Sequence, residues 1–268
     1  MTTLGNTLSV FHNSAAFPLF SVTSVSSVAN FHLIPVIDLL NGQVVHAREG
    51  RRSEYAPIRS NLCAGADPET IMAALLRLHP FRTFYFADLD AIQRQGSNHE
   101  ILDGIHDRFP AIELWVDAGI ADEKALNRWV AAGPGRAVIG SESLADARFM
   151  AGARACSPVL SLDFFGETFK GPVALLRDAV HYWPESVLAM NLKRVGSDAG
   201  PDLALIGMLA AKAPGCRIYA AGGVRSIEDL HQVRTAGAAG ALLATSLHDG
   251  RIGPAELRRF ETAMQSEK

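Results

Sequence analysis

Two aspartates end short apolar runs, Val-Ile-Asp38 and Ser-Leu-Asp163. A carboxylate that closes a strand of a parallel barrel points into the mouth where such barrels carry their chemistry. On opposite strands, Asp38 and Asp163 would face one another across a bound molecule, one giving a proton while the other takes one. A single strand-end aspartate is as readily a helix cap or loop tether; the symmetrical placement sets this pair apart. Glycine-rich turns supply a second chemistry. Ala221-Gly222-Gly223-Val224 lets backbone approach an oxyanion closely, and Ala244-Thr245-Ser246 adds hydroxyl donors, a combination suited to phosphate at a helix N-terminus. Its counterpart, Asp117-Ala118-Gly119-Ile120 with Gly140-Ser141-Glu142, lacks the middle glycine and adds two acids. That cradle is expected to hold a phosphate less well, or to hold something else.

The two cradles are related by sliding the chain along itself. A shift of 104 positions puts Gly119 on Gly223, Leu126 on Leu230, Gly133 on Gly237 and Ser141 on Thr245 without a gap. Two similar halves, each with a strand-end aspartate and a phosphate turn, follow from that pattern.

The elements needed to position these residues can be read from hydrophobic periodicity. Short β-rich runs at 33–38, 83–88, 112–117, 136–140, 158–163, 187–192, 216–221 and 240–244 alternate with helical patterns at 68–78, 98–109, 122–132, 144–154, 172–182, 201–211, 226–236 and 254–264. Alternation of this kind predicts a parallel sheet covered by helices. Helix starts are marked by Asp67-Pro68, Gly171-Pro172, Gly200-Pro201, Ser226 and Gly253-Pro254. The expected fold is a single α/β domain, a (β/α)8 TIM barrel of duplicated half-barrels and phosphate-binding type, which typically takes about 250 residues. One connection is out of scale: residues 41–66 separate the first strand from its helix and carry His46, Arg48, Arg51, Arg52, Tyr55 and Arg59. Long loops of that kind are commonly mobile lids, and arginines there suit an anionic ligand.

Composition sets the outer bounds. With 268 residues, 48% hydrophobic content and a net charge of −3, nothing favours nucleic acid, and no apolar run is long enough to span a membrane. Residues 1–30 contain no Asp, Glu, Lys or Arg, which fits neither a secretory nor a mitochondrial leader. We read residues 1–31 as a disordered or mis-annotated extension and 32–268 as the barrel. Cys63, Cys156 and Cys216 are scattered, supporting neither disulfides nor a metal site and fitting a reduced, cytoplasmic protein.

Taken together, the chain resembles the HisA/HisF family of histidine biosynthesis. The pieces that carry the resemblance are Ile-Pro-Val-Ile-Asp38-Leu-Leu-Asn-Gly-Gln, Ala87-Asp88-Leu-Asp90, Val-Ile-Gly140-Ser, Leu-Ser-Leu-Asp163, Arg194-Val-Gly196-Ser197-Asp-Ala-Gly200-Pro, Ala-Gly222-Gly223-Val and Gly237-Ala-Ala-Gly-Ala. The resemblance implies an Amadori-type rearrangement of a phosphorylated aminoaldose to an aminoketose. It implies Asp163 as the acid that assists ring opening and Asp38 as the base at the adjacent carbon. Neither metal nor organic cofactor is implied, because a protonated imine serves as electron sink.

Departures from the family pattern shape the expectation. Where the isomerases carry a catalytic threonine and aspartate, this chain has Met190 and Val195. Lys193 is new nearby and could form a Schiff base or simply pair with a phosphate or carboxylate. Three readings follow. One is an isomerase, either of the histidine-pathway kind or a divergent paralogue resembling a branch of methanogens and one-carbon-metabolising bacteria, tied to pterin- or furan-type cofactors. Another is a synthase fed ammonia by a glutaminase partner, the less expected case. The third is a barrel that binds a phosphorylated metabolite without turnover.

Overall fold

The computed structural model describes residues 31–266. The extension assigned to residues 1–31 lies outside them except for Phe31, whose ring meets Phe260 edge-on at 5.4 Å.

Eight parallel strands form the barrel: β1 (His32–Leu40), β2 (Thr83–Asp88), β3 (Glu113–Asp117), β4 (Arg136–Gly140), β5 (Val159–Phe165), β6 (Ser186–Asn191), β7 (Arg217–Ala221) and β8 (Gly240–Leu243). Each pairs with the next in sequence, and β8 pairs back onto β1 with His32 opposite Gly240. The sheet thus closes on itself and leaves no open edge. Helices α1 (Pro68–Leu78), α2 (His99–Arg108), α3 (Glu123–Ala132), α4 (Phe149–Ala153), α5 (Ala174–Arg177), α6 (Leu203–Lys212), α7 (Ile227–Thr235) and α8 (Pro254–Ser266) cover the outside.

Local chemistry explains where the helices begin. Asp67 accepts from the Thr70 N–H at 2.8 Å ahead of Pro68, and Asp122, Asp202 and Ser226 cap α3, α6 and α7 in the same way. Helix α1 then buries Ile71, Met72 and Leu75 against the strands, each contributing roughly 1.5–3 kcal/mol. Two expected helices are shorter than their periodicity predicts. Residues 144–154 reduce to α4, because Leu144 is extended and Asp146 turns the chain by accepting from Arg148. Residues 172–182 split into α5 and a 3-10 turn, Val180–Tyr182, while Trp183 donates to the Leu175 carbonyl.

The duplication extends to a feature hidden in the sequence. After β1 the strand Gln43–Val45 folds back antiparallel with Asp38 opposite Val45, and after β5 the strand Thr168–Lys170 does so with Asp163 opposite Lys170. Both candidate catalytic aspartates therefore sit at the base of equivalent hairpins. Asn41 and Gly42 take positive φ, 50° and 76°, as a two-residue turn that follows the strand twist requires. Hairpin pairing also orders the start of the long connection over residues 41–66. Backbone bonds from His46 to Ala56 and from Ile58 to Val44 extend the order beyond the hairpin, and a 3-10 turn at Arg52–Glu54 sits between them.

Inside the barrel, Ile34, Tyr85, Trp115, Val138, Leu188, Tyr219 and Leu242 pack into one buried cluster. Trp115 and Tyr219 meet edge-to-face at 5.0 Å below the layer of carboxylates, so the axis there is filled with side chains. Among the described residues, Cys63, Cys156 and Cys216 are all free thiols. No helix among them is long and apolar enough to cross a membrane, and no group of three or more His, Cys, Asp or Glu is placed to hold a metal ion.

Candidate active site

The C-terminal ends of the strands open into one cavity of about 300 Å³, lined among others by Asp38, Tyr85, Asp117, Glu142, Asp163, Met190 and Val195. Strand register explains the company they keep. Asp38 pairs with Ala87 and Ala87 with Asp117, so both carboxylates top neighbouring rungs of the same layer. Asp163 enters from β5, across the barrel from β1, and lies beside Met190 of β6.

Asp163 is held, and Asp38 is free. The Asp163 carboxylate accepts from Ser161 Oγ at 2.6 Å, from the Glu142 N–H at 3.2 Å and from Ser141 Oγ at 3.1 Å. Burial raises its pKa to about 6, against the pull of those donors. Asp38 accepts no hydrogen bond from the described residues. It keeps a little accessible surface where it lines the cavity, yet the surrounding protein raises its pKa to about 7, opposed by the Arg52 guanidinium. Paired carboxyls that titrate near neutrality can exchange protons with a substrate in both directions.

The cavity has two unlike poles. Gly222 and Gly223, with φ of 99° and 88°, line the second-half pole together with Thr245, His46, Arg59, Arg225 and Arg251. The short helix Thr245–His248 starts without a side-chain cap, leaving its first N–H groups unsatisfied. His46 Nε2 lies 3.1 Å from Thr245 Oγ1, and Ser60 Oγ lies 2.9 Å from His248 Nδ1. Burial lowers the pKa of His248 to about 4, so it is neutral. Gly223 cannot carry a side chain: a Cβ would overlap the Gly200 carbonyl. Gly223→Ala is expected to destabilise the fold by about 3 kcal/mol, from the left-handed backbone and the overlap together, and urea denaturation measures it.

At the first-half pole the donors are consumed by the chain itself. The Gly119 N–H is directed at Asp117 Oδ1 at 3.0 Å, the Glu142 N–H at Asp163, and the Ser141 hydroxyl reaches Asp163 and the Lys170 carbonyl. Gly119, Gly140 and Ser141 do not line the cavity. A Cβ on Gly140 would meet Asp117 Oδ2 at 3.2 Å and Asp163 Oδ2 at 3.4 Å, so this glycine makes room for two carboxylates rather than for an oxyanion. Burial and then the neighbouring Asp163 and Glu142 raise the Asp117 pKa to about 7.

The expected substrate loop divides its residues between the poles and the exterior. Arg52 is ion-paired with Glu142, half-buried over the carboxylates. Arg51 pairs with Glu49 and Glu54 on the surface, and Arg48 is exposed; neither lines the cavity. Ser197 lines it while donating to the Arg194 carbonyl. Ser246 is buried behind the wall with an unpartnered hydroxyl. Lys193 is exposed outside the cavity, near Gly166, because its backbone turns away where its N–H meets Asn191. Sequence reasoning missed Tyr85, an aromatic in a buried strand with no motif around it. Its side chain is 4% exposed, it lines the cavity, and its hydroxyl makes no hydrogen bond with the described residues.

Four similarities bear on this geometry. The histidine biosynthesis protein family matches residues 32–253. An uncharacterized protein of Methanocaldococcus jannaschii is 28% identical over 232 residues, covering 84% of this chain and 96% of its own length. A protein of Desulforamulus reducens, named as an imidazole-4-carboxamide isomerase with two phosphoribosyl groups in its substrate, is 30% identical over 241 residues, 82% of this chain and 93% of its own. A Thermus thermophilus protein of the same name is 27% identical over 234 residues, 82% of this chain and 95% of its own. With its fold, its paired strand-end aspartates and a match over nearly all the described residues, the chain belongs to the histidine biosynthesis protein family.

Proposed function

We propose that the protein is an aldose–ketose isomerase, an intramolecular oxidoreductase that rearranges a phosphorylated ribosyl-amine by Amadori chemistry. The observation that carries this reading is the pair Asp38 and Asp163 on opposite strands of one cavity, both with pKa values raised by burial toward neutrality. In the first step one carboxyl protonates the ring oxygen, the ring opens, and the nitrogen lone pair forms a protonated imine. In the second, the ionised carboxylate removes the proton from the adjacent carbon, giving an enolamine that becomes the ketose. Family analogy gives Asp163 the first role and Asp38 the second. The Gly222-Gly223 turn with Thr245 is the proposed phosphate anchor.

The names of the isomerase relatives support the reaction class. Filling of the barrel axis by Trp115 and Tyr219 favours it over a synthase that needs ammonia to pass along that axis. Met190 and Val195 line the β6 side of the cavity with apolar side chains.

Two experiments test the proposal. Turnover in deuterium oxide is expected to place one deuterium at the carbon next to the new carbonyl, read by mass spectrometry; phosphorylated ribosyl-amines recovered without label would refute isomerisation. The pH profile of kcat is expected to be bell-shaped, with limbs near 6 and 7, because one carboxyl must be ionised and the other protonated. Those limbs belong to the pair and not to either aspartate. Rescue of a strain lacking the histidine-pathway isomerase would extend the substrate to that intermediate.

A further inference from the structure

We propose that the first-half pole of the cavity binds a cationic amine through Asp117, Glu142 and the Tyr85 hydroxyl, so that the substrate carries one phosphate and one positively charged end. The proposal rests on the reading of the second-half pole as the phosphate anchor.

Three observations on the first-half pole lead to it. First, the N–H that a glycine turn would offer to a bound oxyanion, that of Gly119, is occupied by the Asp117 carboxylate at 3.0 Å. A carboxylate of the chain stands where a phosphate would be received, and a second anion there would be repelled. Second, the other Asp117 oxygen is held by no hydrogen bond among the described residues, although the residue is only 9% exposed and lines the cavity. Third, Tyr85 is 4% exposed, its hydroxyl makes no hydrogen bond among the described residues, and it also lines the cavity. Unpartnered polar atoms at that depth disfavour an apolar ligand and call for one with several donors.

Charge distribution agrees. Arg59, Arg225, Arg251 and His46 line the second-half pole with Asp249, Arg225 being paired to Asp229 and Arg251 to Asp249 and Asp198, while Asp38, Asp117, Glu142 and Asp163 face the other with Arg52 as their cation. An ammonium has three donors and no acceptor, which matches the acceptors that Asp117, Tyr85 and Glu142, the last also paired with Arg52, present to the cavity. Opposite charges at the two ends of one cavity fix the direction in which an elongated ligand enters. Burial raises the Asp117 pKa to about 7, so an arriving ammonium ionises part of the population and releases protons.

Calorimetric titration of the full chain at pH 6.5 tests this with three probe series of matched length: alkyl phosphates, ω-aminoalkyl phosphates and alkane bisphosphates, with inorganic phosphate as the reference. The best aminoalkyl phosphate is expected to bind at least tenfold more tightly than the alkyl phosphate of equal length, with proton release seen as a dependence of the heat on buffer. Asp117→Asn is expected to remove that preference while binding of inorganic phosphate is unchanged, and Glu142→Gln to reduce it. Bisphosphates binding most tightly, or an amine preference that survives Asp117→Asn, would overturn the proposal. Inorganic phosphate binding without amine preference overturns it and leaves the isomerase reading in place. Absence of any phosphate binding overturns both.

Discussion

Asp38→Asn is expected to lower kcat by a factor of about 10²–10⁴, the usual worth of a positioned general acid or base, with substrate affinity within a few-fold of the parent. Asp38 accepts no hydrogen bond from the described residues, so an amide of equal shape breaks no contact and leaves the hairpin at Gln43–Val45 intact. What it removes is the carboxylate that takes the proton. Asp163→Asn is expected to cost as much activity and also some stability. Three donors, Ser161 Oγ, Ser141 Oγ and the Glu142 N–H, converge on that carboxylate, and an amide must turn its own NH2 toward one of them. The two substitutions together are expected to be little worse than either alone, because members of one proton-transfer pair act as a unit. Measured kcat for the single and double variants, with ligand binding followed by calorimetry, decides the matter. Activity of Asp38→Asn above a tenth of the parent rejects the acid–base role. Loss of activity with binding preserved rejects the reading of a barrel that only binds.

The barrel was legible because its strands and caps are local. Thr83–Asp88 and Arg136–Gly140 fall where the apolar runs predict them, and Asp67, Asp122 and Ser226 cap helices in the way their spacing implies. Legibility ends where order comes from across the barrel. Residues 41–66 read as a loop, since neither the pairing of Val44 with Leu39 nor the Arg52–Glu142 ion pair has a local signal. Lys193 lies next to family residues in sequence yet outside the cavity in space, because the turn after β6 directs it outward. Tyr85 shows the reverse case. Alternation within Thr83–Asp88 puts it on the inner face with Ala87, so its place was available from strand period alone. Its relevance depends on the carboxylates that gather above it, and those come from three other strands. The acidic replacements at Asp117 and Glu142 were visible, but not that Asp117 would take the Gly119 N–H for itself.

Asp117→Asn is expected to make the protein more stable at pH 8 and to leave it nearly unchanged at pH 4. In the native state burial raises the Asp117 pKa to about 7, from an ordinary 3.8. Between those values the native protein holds a proton that the unfolded chain releases, so stability falls as pH rises through this window. At 1.36 kcal/mol per pH unit, the ionised carboxylate costs up to about 4 kcal/mol above pH 7. Asparagine has no such cost, and its side-chain oxygen can still accept from the Gly119 N–H. Urea denaturation at pH 4 and pH 8 measures the difference; an asparagine variant no more stable at pH 8 than the parent would show that Asp117 is not destabilised by burial. A carboxylate that weakens the fold at neutral pH and sits on the cavity wall is accounted for by what it binds rather than by what it holds together. The stability gained by Asp117→Asn and the amine preference lost with it are two measurements of the same buried charge.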